Sequence, residues 1–286
     1  MSTRKLHQQV QRNMSTVKRC IPLNNDALVF LKIGELAEAY SLLNEASITL
    51  KKAIEDEGTV SPFPCCSYSS KPPCGSYFIY DDLSCLVEKD NMGIPSSYQF
   101  GSSSLFLHGV LIDSDIPLGT QESSLDRIWL IVNYNLAVAA HLLGIHLFAS
   151  KKPAGRQYLE RSYQLYKTVR RAIETCFFQN FGMLFMAVLN NQACICTDLG
   201  MIDHASIYWS KLSSQLDAIS EESSKNSMIE HSCNRFSLNL FIFRGVKSAA
   251  AAWSKQHFRI QIEYKQLKVN TILCLQFRYY TPKLEL

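Results

Sequence analysis

Two stretches of this chain, far apart in sequence, follow one pattern of small and large apolar residues around a glycine. Ala27, Phe30, Gly34, Leu36, Ala39, Leu43 and Ala46 align with Ala193, Cys196, Gly200, Ile202, Ala205, Trp209 and Leu212 at matching offsets throughout. The spacing on either side of each glycine is helical, so each stretch predicts two amphipathic helices joined by a tight turn. Alanine or glycine at the crossing lets two helix axes approach, and larger apolar groups fill the grooves between them. A helix pair of this kind buries only part of its apolar surface and must stack on neighbours to complete a core. The pattern therefore predicts an all-α fold of antiparallel helix-pair repeats.

A third copy is looser. Asn135-Leu136-Ala137 with Ala140 suits a first helix, and Leu159, Ser162, Tyr166 and Val169 suit a second. Extra residues lie between them, so either the first helix is overlong or a loop replaces the turn. The organisation expected is a basic N-terminal segment over 1–20, a first helical repeat over 21–57, and an insertion over 58–125. The second and third repeats with a capping helix follow over 126–253, and a tail over 254–286. Helices are expected over about 24–57, 124–177 with a break at Lys152-Pro153-Ala154-Gly155, 180–219 with its turn at Gly200, and 226–253. The insertion is rich in Ser, Pro and Gly, which favours turns, but SYFIYDD and SSLFLHGVLID within it read as short strands. In the tail, Phe258, Ile260, Ile262 and Tyr264 alternate with a strand period. Such a tail forms a late hairpin or lacks a packing partner.

Composition narrows the class further. A hydrophobic fraction of 47% supplies a sizeable core. The net charge of +4 is unevenly spread: residues 1–20 carry five basic side chains and no acid, residues 247–286 seven basic and two acidic, and the body is net acidic. Basic ends can meet nucleic acid or anionic lipid, although a solvated tail is the commoner meaning. The N-terminal stretch MSTRKLHQQVQRN lacks the apolar run of a signal peptide, which places the chain in the cytosol or nucleus with its ten cysteines reduced. Residues 128–149 are long enough and uncharged enough to span a bilayer, but Asn133, Asn135, His141 and His146 would be costly there. With Ala137, Ala140 and Gly144 at close spacing, the stretch reads as a buried helix and no membrane span is expected.

Groupings that carry chemistry are missing. Cys194 and Cys196 are two apart on a helix, about 200° around its axis, and cannot readily share an ion. His204 adds at most one further ligand. Cys65, Cys66, Cys74 and Cys85 lack the paired spacing of a zinc site. Asp81 and Asp82 point to opposite faces of a strand, and His141 and His146 face partly different ways on a helix. No phosphate-binding glycine loop, nucleophile elbow or H-E-x-x-H occurs. The reading is of a non-enzymatic chain without metal or cofactor.

The glycine-centred pattern resembles the tetratricopeptide repeat, a helix–turn–helix unit of about 34 residues. VNYNLAVAAHLLG and LNNQACICTDLG are also similar to a group of uncharacterised algal repeat proteins with a comparable insertion, a group that implies no enzyme activity and ends near an alanine run like 249–252. The resemblance implies a scaffold whose first helices line a concave groove that grips an extended peptide or partner helix. Carried onto this chain, the groove-facing residues are Asn24, Leu28 and Lys32, then Asn135 and His141, then Asn191 and Asp198. Asparagine suits that task because its amide donates and accepts at once, although the same residues would serve equally as helix caps. The lysine and arginine set with which better-known members hold a C-terminal carboxylate has no match here. The other reading is a nucleic-acid-associated helical repeat that uses its basic ends, which the acidic body disfavours.

Overall fold

Three helices end in the same way, and these endings set the architecture. The computed structural model describes residues 3–56, 78–82, 108–112, 122–176, 182–220, 236–237 and 239. Helix α1 (Thr3–Ile33) is followed by α2 (Leu36–Asp56), α3 (Glu122–Ala149) by α4 (Ala154–Cys176), and α5 (Gly182–Asp198) by α6 (Ile202–Ser220). At the end of α1, Gly34 has φ 89°, its amide donates to the Leu31 carbonyl at 3.2 Å, and the Glu35 amide donates to Phe30 at 3.0 Å. At the end of α5, Gly200 has φ 82°, with Gly200 bonded to Thr197 at 3.1 Å and Met201 to Cys196 at 2.7 Å. At the end of α3, Lys151 occupies the left-handed position at φ 57°, with bonds of 3.0 Å to Phe148 and 2.9 Å from Lys152 to Leu147. Each is a Schellman ending that satisfies orphan carbonyls and reverses the chain within a few residues. α3 runs past Gly144 to Ala149 before its ending.

The described fold is all-helical apart from one short hairpin, β1 (Phe78–Asp82) and β2 (His108–Ile112). The strands pair antiparallel in the register Phe78↔Ile112, Tyr80↔Val110 and Asp82↔His108, within the two stretches expected to be strands. The chain divides into two compact units, residues 1–93 with 106–188 and residues 94–105 with 189–286. In the first unit α1 packs on α2, α2 on α3, and α3 on α4, while β2 lies against both α1 and α3. The cysteine group at 65–85, most of the expected helix over 226–253 and the tail 254–286 lie outside the described residues.

α1 begins well before the expected start near Asn24 and passes through Pro22. An interior proline costs about 3 kcal/mol through its missing amide and its clash with the preceding turn. Against that, Val17, Cys20, Ile21, Asn24, Ala27, Leu28 and Leu31 form an unbroken buried stripe on both sides of it. Burial of several such side chains, at about 1.5–3 kcal/mol each, outweighs one lost bond. The answering stripe on α2 is Leu36, Ala39, Leu43, Ala46, Leu50 and Ile54. Ile202, the α6 counterpart of Leu36, is instead exposed, so the first turn of α6 is less enclosed than that of α2.

α3 is the axis of the first unit. Residues 128–145 are buried without exception. It is the one described helix long and apolar enough to cross a membrane, and its apolar stretch lies wholly inside the fold. Glycines allow α4 to approach it. A Cβ on Gly144 would lie 2.9 Å from Leu159 Cγ, and one on Gly155 would lie 2.4 Å from the Phe148 amide nitrogen. Ser162, on the buried face of α4 with Leu159, Tyr166 and Val169, donates to the Ala137 carbonyl at 2.7 Å.

These endings and crossings predict an order of stability effects. Gly34→Ala and Gly200→Ala each lose about 1 kcal/mol to left-handed strain, whereas Lys151→Gly gains about 0.5 kcal/mol. Gly155→Ala loses about 2 kcal/mol or more, because the obstructing atoms are backbone and cannot swing aside. Urea midpoints of the four variants against the parent chain check this order.

Candidate functional site

A strand edge carries a row of amide N–H and carbonyl groups that must find partners when buried. On β2 the main-chain groups of Val110 and Ile112 point away from β1, because successive residues of a strand address opposite edges. Val110 and Ile112 are almost completely buried, and among the described residues no third strand meets that edge. Asparagine side chains take the place of one. Val110 donates its amide to Asn135 Oδ1 at 3.0 Å, and Asn135 Nδ2 donates back to the Val110 carbonyl at 2.9 Å. Two residues on, Ile112 donates to Asn25 Oδ1 at 3.1 Å and Asn25 Nδ2 returns a bond to the Ile112 carbonyl at 2.8 Å. A carboxamide presents one acceptor and one donor side by side, as a peptide group does, so each asparagine imitates one residue of a neighbouring strand.

Asn24 ties the two clamps together. Its Nδ2 donates to the Val110 carbonyl at 3.1 Å and to Asn25 Oδ1 at 3.1 Å, while its Oδ1 accepts from Asn135 Nδ2 at 2.8 Å. Both donor hydrogens of Asn24 and both of Asn135 are thereby used. Only one orientation of the three amides closes the network, since turning Asn135 over would set its oxygen against the Val110 carbonyl. Asn24 and Asn135 are fully buried, and Asn25 is half-buried. Leu28, one turn along α1, closes the floor: a Cβ on Gly109 would fall 2.5 Å from its Cδ2.

Two of these side-chain bonds recur in the second unit, where Asn190 also donates to Cys194 Sγ at 3.9 Å. Asn190 Nδ2 donates to Asn191 Oδ1 at 3.0 Å, as Asn24 does to Asn25. Asn239 Nδ2 donates to Asn190 Oδ1 at 2.8 Å, as Asn135 does to Asn24. All three of these asparagines are buried. The glycine-centred alignment sets Asn24-Asn25 opposite Asn190-Asn191, so a polar pair recurs where the apolar pattern recurs.

Of the residues expected to line a groove, Asn24, Leu28 and Asn135 come together around β2. Lys32 is half-buried near the end of α1. His141 is buried away from the clamp, its ring 6.2 Å from that of Tyr166 in an edge-on arrangement between α3 and α4. Asn191 belongs to the second cluster, and Asp198 is half-buried at the end of α5. Asn25, Asn190 and Asn239 escaped the sequence reading. The repeated Asn-Asn doublet was the signal that could have found Asn25 and Asn190; Asn239, between two leucines, carries no such signal.

The buried thiols are set against reactivity. Burial pushes Cys20 up to about 11 and Cys196 up to about 12. Cys194 is raised well above the usual thiol range by burial and then by the nearby Asp198 charge. Among the described residues no group of three or more His, Cys, Asp or Glu side chains could hold a metal ion. The comparisons with protein-family models, curated proteins and solved structures find no match to this chain.

Two outcomes follow from this geometry. Asn135→Ala strands the buried Val110 amide and a neighbouring carboxamide oxygen and costs about 2–4 kcal/mol, while Asn25→Ala, nearer solvent, costs about 1 kcal/mol, both read from denaturation midpoints. Cys20, Cys194 and Cys196 resist alkylation at pH 8 in the folded chain and react once it is denatured, as mass spectrometry of the digests would show. A thiol whose folded value lies above its unfolded one favours the folded state only while protonated, so the stability it lends falls above about pH 9, through about 11 for Cys20.

Proposed function

We propose that this chain is a non-enzymatic helical-repeat scaffold of the tetratricopeptide kind, whose first helices hold an extended protein or peptide segment in a groove. The observation that carries this reading is the clamp on β2. Asn25 and Asn135 stand at corresponding positions of the first and second copies of the pattern, and they hold residues 112 and 110 of one strand. Residues two apart on a strand are about 7 Å apart, a step that side chains leaning from neighbouring helices can match. Successive repeats thus engage alternate residues of an extended chain. The second asparagine cluster, with the same internal bonds, supports extending that scheme to the third copy.

The clamp groups also suit binding better than catalysis. Carboxamides neither titrate nor act as nucleophiles near neutral pH, and they bond to main chain whatever its sequence. Selectivity then rests on shape: a small residue followed by branched aliphatic groups at alternate positions, a preference that the packing of Gly109, Val110 and Ile112 supports. The protonated thiols of Cys20, Cys194 and Cys196 fit a reducing compartment such as the cytosol or nucleus.

Display selection of random peptides on the intact chain tests the reading, because multivalent display enriches even weak binders. Enriched sequences are expected to alternate branched aliphatic residues and to bind equally well between roughly 50 and 200 mM salt. They should be lost from the Asn25→Ala/Asn135→Ala double variant. Enrichment indifferent to the double variant would place binding elsewhere, and capture of nucleic acid that falls steeply with salt would favour the basic ends.

A further inference from the structure

We propose that β2 is a tethered occupant of the ligand groove: the chain closes its own site, and the partner is an extended segment that copies β2 and displaces it. This rests on the groove reading above and adds how the site is regulated and what enters it. The clamp bonds reach only main-chain atoms of Val110 and Ile112, so nothing in them distinguishes β2 from another strand of the same shape. What distinguishes an occupant is its side chains. Val110 and Ile112 are buried, Leu111 is half-buried, and Gly109 leaves room for Leu28. A partner therefore needs branched aliphatic residues at the second and fourth of four positions, and at the first a residue small enough that Leu28 need move little.

The attachment of β2 suits exchange. It is not part of a helix hairpin and enters the described fold through β1, α1 and α3. Its C-terminal side is joined to α3 by residues 113–121, a length that can reach about 30 Å, so the strand can leave its clamp without unwinding α3. A segment joined to its site by a short stretch of the same chain faces that site at an effective concentration on the order of millimolar. A free segment that binds the vacated clamp with micromolar affinity competes with it, its apparent affinity lowered by the fraction of chains in which the clamp is closed. Asn25, the more exposed member of the clamp, marks the Ile112 end as the place where exchange starts.

The probe is a synthetic, isotope-labelled peptide with the sequence of residues 105–114, LFLHGVLIDS, carrying a fluorophore and titrated into the full chain. Val110→Thr/Ile112→Thr keeps strand shape but weakens the hold on the native β2, and is expected to bind the probe at least about tenfold more tightly than the parent. Adding Asn25→Ala/Asn135→Ala to that variant should abolish binding. Equal, clamp-dependent affinity for parent and Thr variant would overturn the tethered occupant and leave the groove reading standing. No binding by either chain, with helical content and the thermal transition intact, would overturn both. Hydrogen exchange on the parent chain gives a second reading that needs no β2 variant. Bound probe should speed exchange at residues 108–112 while α3 stays protected, and bound probe without that change would sink displacement.

Discussion

A buried strand edge cannot be left with open main-chain groups, and in this protein that requirement is met by side chains rather than by another strand. Asn24, Asn25 and Asn135 come from two helices that meet only in the folded chain, and they close one edge of β2 while β1 closes the other. Each of the bonds contributes about 1 kcal/mol net, but an unmatched buried amide costs more than a made bond returns. The clamp therefore acts mainly as a register. β2 shifted by one residue would turn the main-chain groups of Gly109 and Leu111 toward the asparagines and place Val110 and Ile112 on the wrong face. α1 and α3 are in turn held at a separation that suits a two-residue step of the strand.

That constraint explains why α3 is enclosed on every side. It contributes Asn135 to the clamp, Gly144 to the close approach of α4, and Ala137 as acceptor for Ser162. A helix with duties in several directions has no solvent face, and its sequence reads as apolar all round. The result is a stretch that satisfies the length and hydropathy of a membrane span while lying inside the fold. Its asparagines are each matched within the fold: Asn133 accepts from Ser47 and donates to the Trp129 carbonyl, and Asn135 holds β2.

What could be read from the sequence was what repeats locally. The faces of α2 and α4 follow from helical spacing, and the turns at Gly34 and Gly200 from glycine in a left-handed position. The start of α1 could not be read, because Pro22 breaks local propensity and only burial against α2 restores the helix. The turn after α3 was placed at the Lys-Pro-Ala-Gly stretch, but the left-handed residue is Lys151, which no propensity would choose. The clamp was half legible. Asn24 and Asn135 were singled out, yet one partner of Asn24 is Val110, 86 residues away, in a stretch legible as a strand but with nothing local to say what its free edge meets. An asparagine shows nothing of its role until the distant main chain it serves has arrived.

Neutral amides carry a further consequence that charged clamps would not. A lysine or arginine set would bring its own desolvation cost and would hold a partner only while the partner supplied the opposite charge. A carboxamide asks only for a peptide group, so in the proposed exchange the same three residues would bond a strand of this chain and a strand from elsewhere equally well. The balance between them is then set by side-chain fit and effective concentration, not by bond strength. A fully apolar edge could not exchange strands without exposing unmatched main chain on both sides. Here the vacated asparagines and the released strand can both hydrogen-bond to water, so opening the clamp need leave no polar group unmatched. Two of the same Asn–Asn bonds recur at Asn190, Asn191 and Asn239, in a unit with its own helices, so this part of the wiring is not peculiar to the packing around β2.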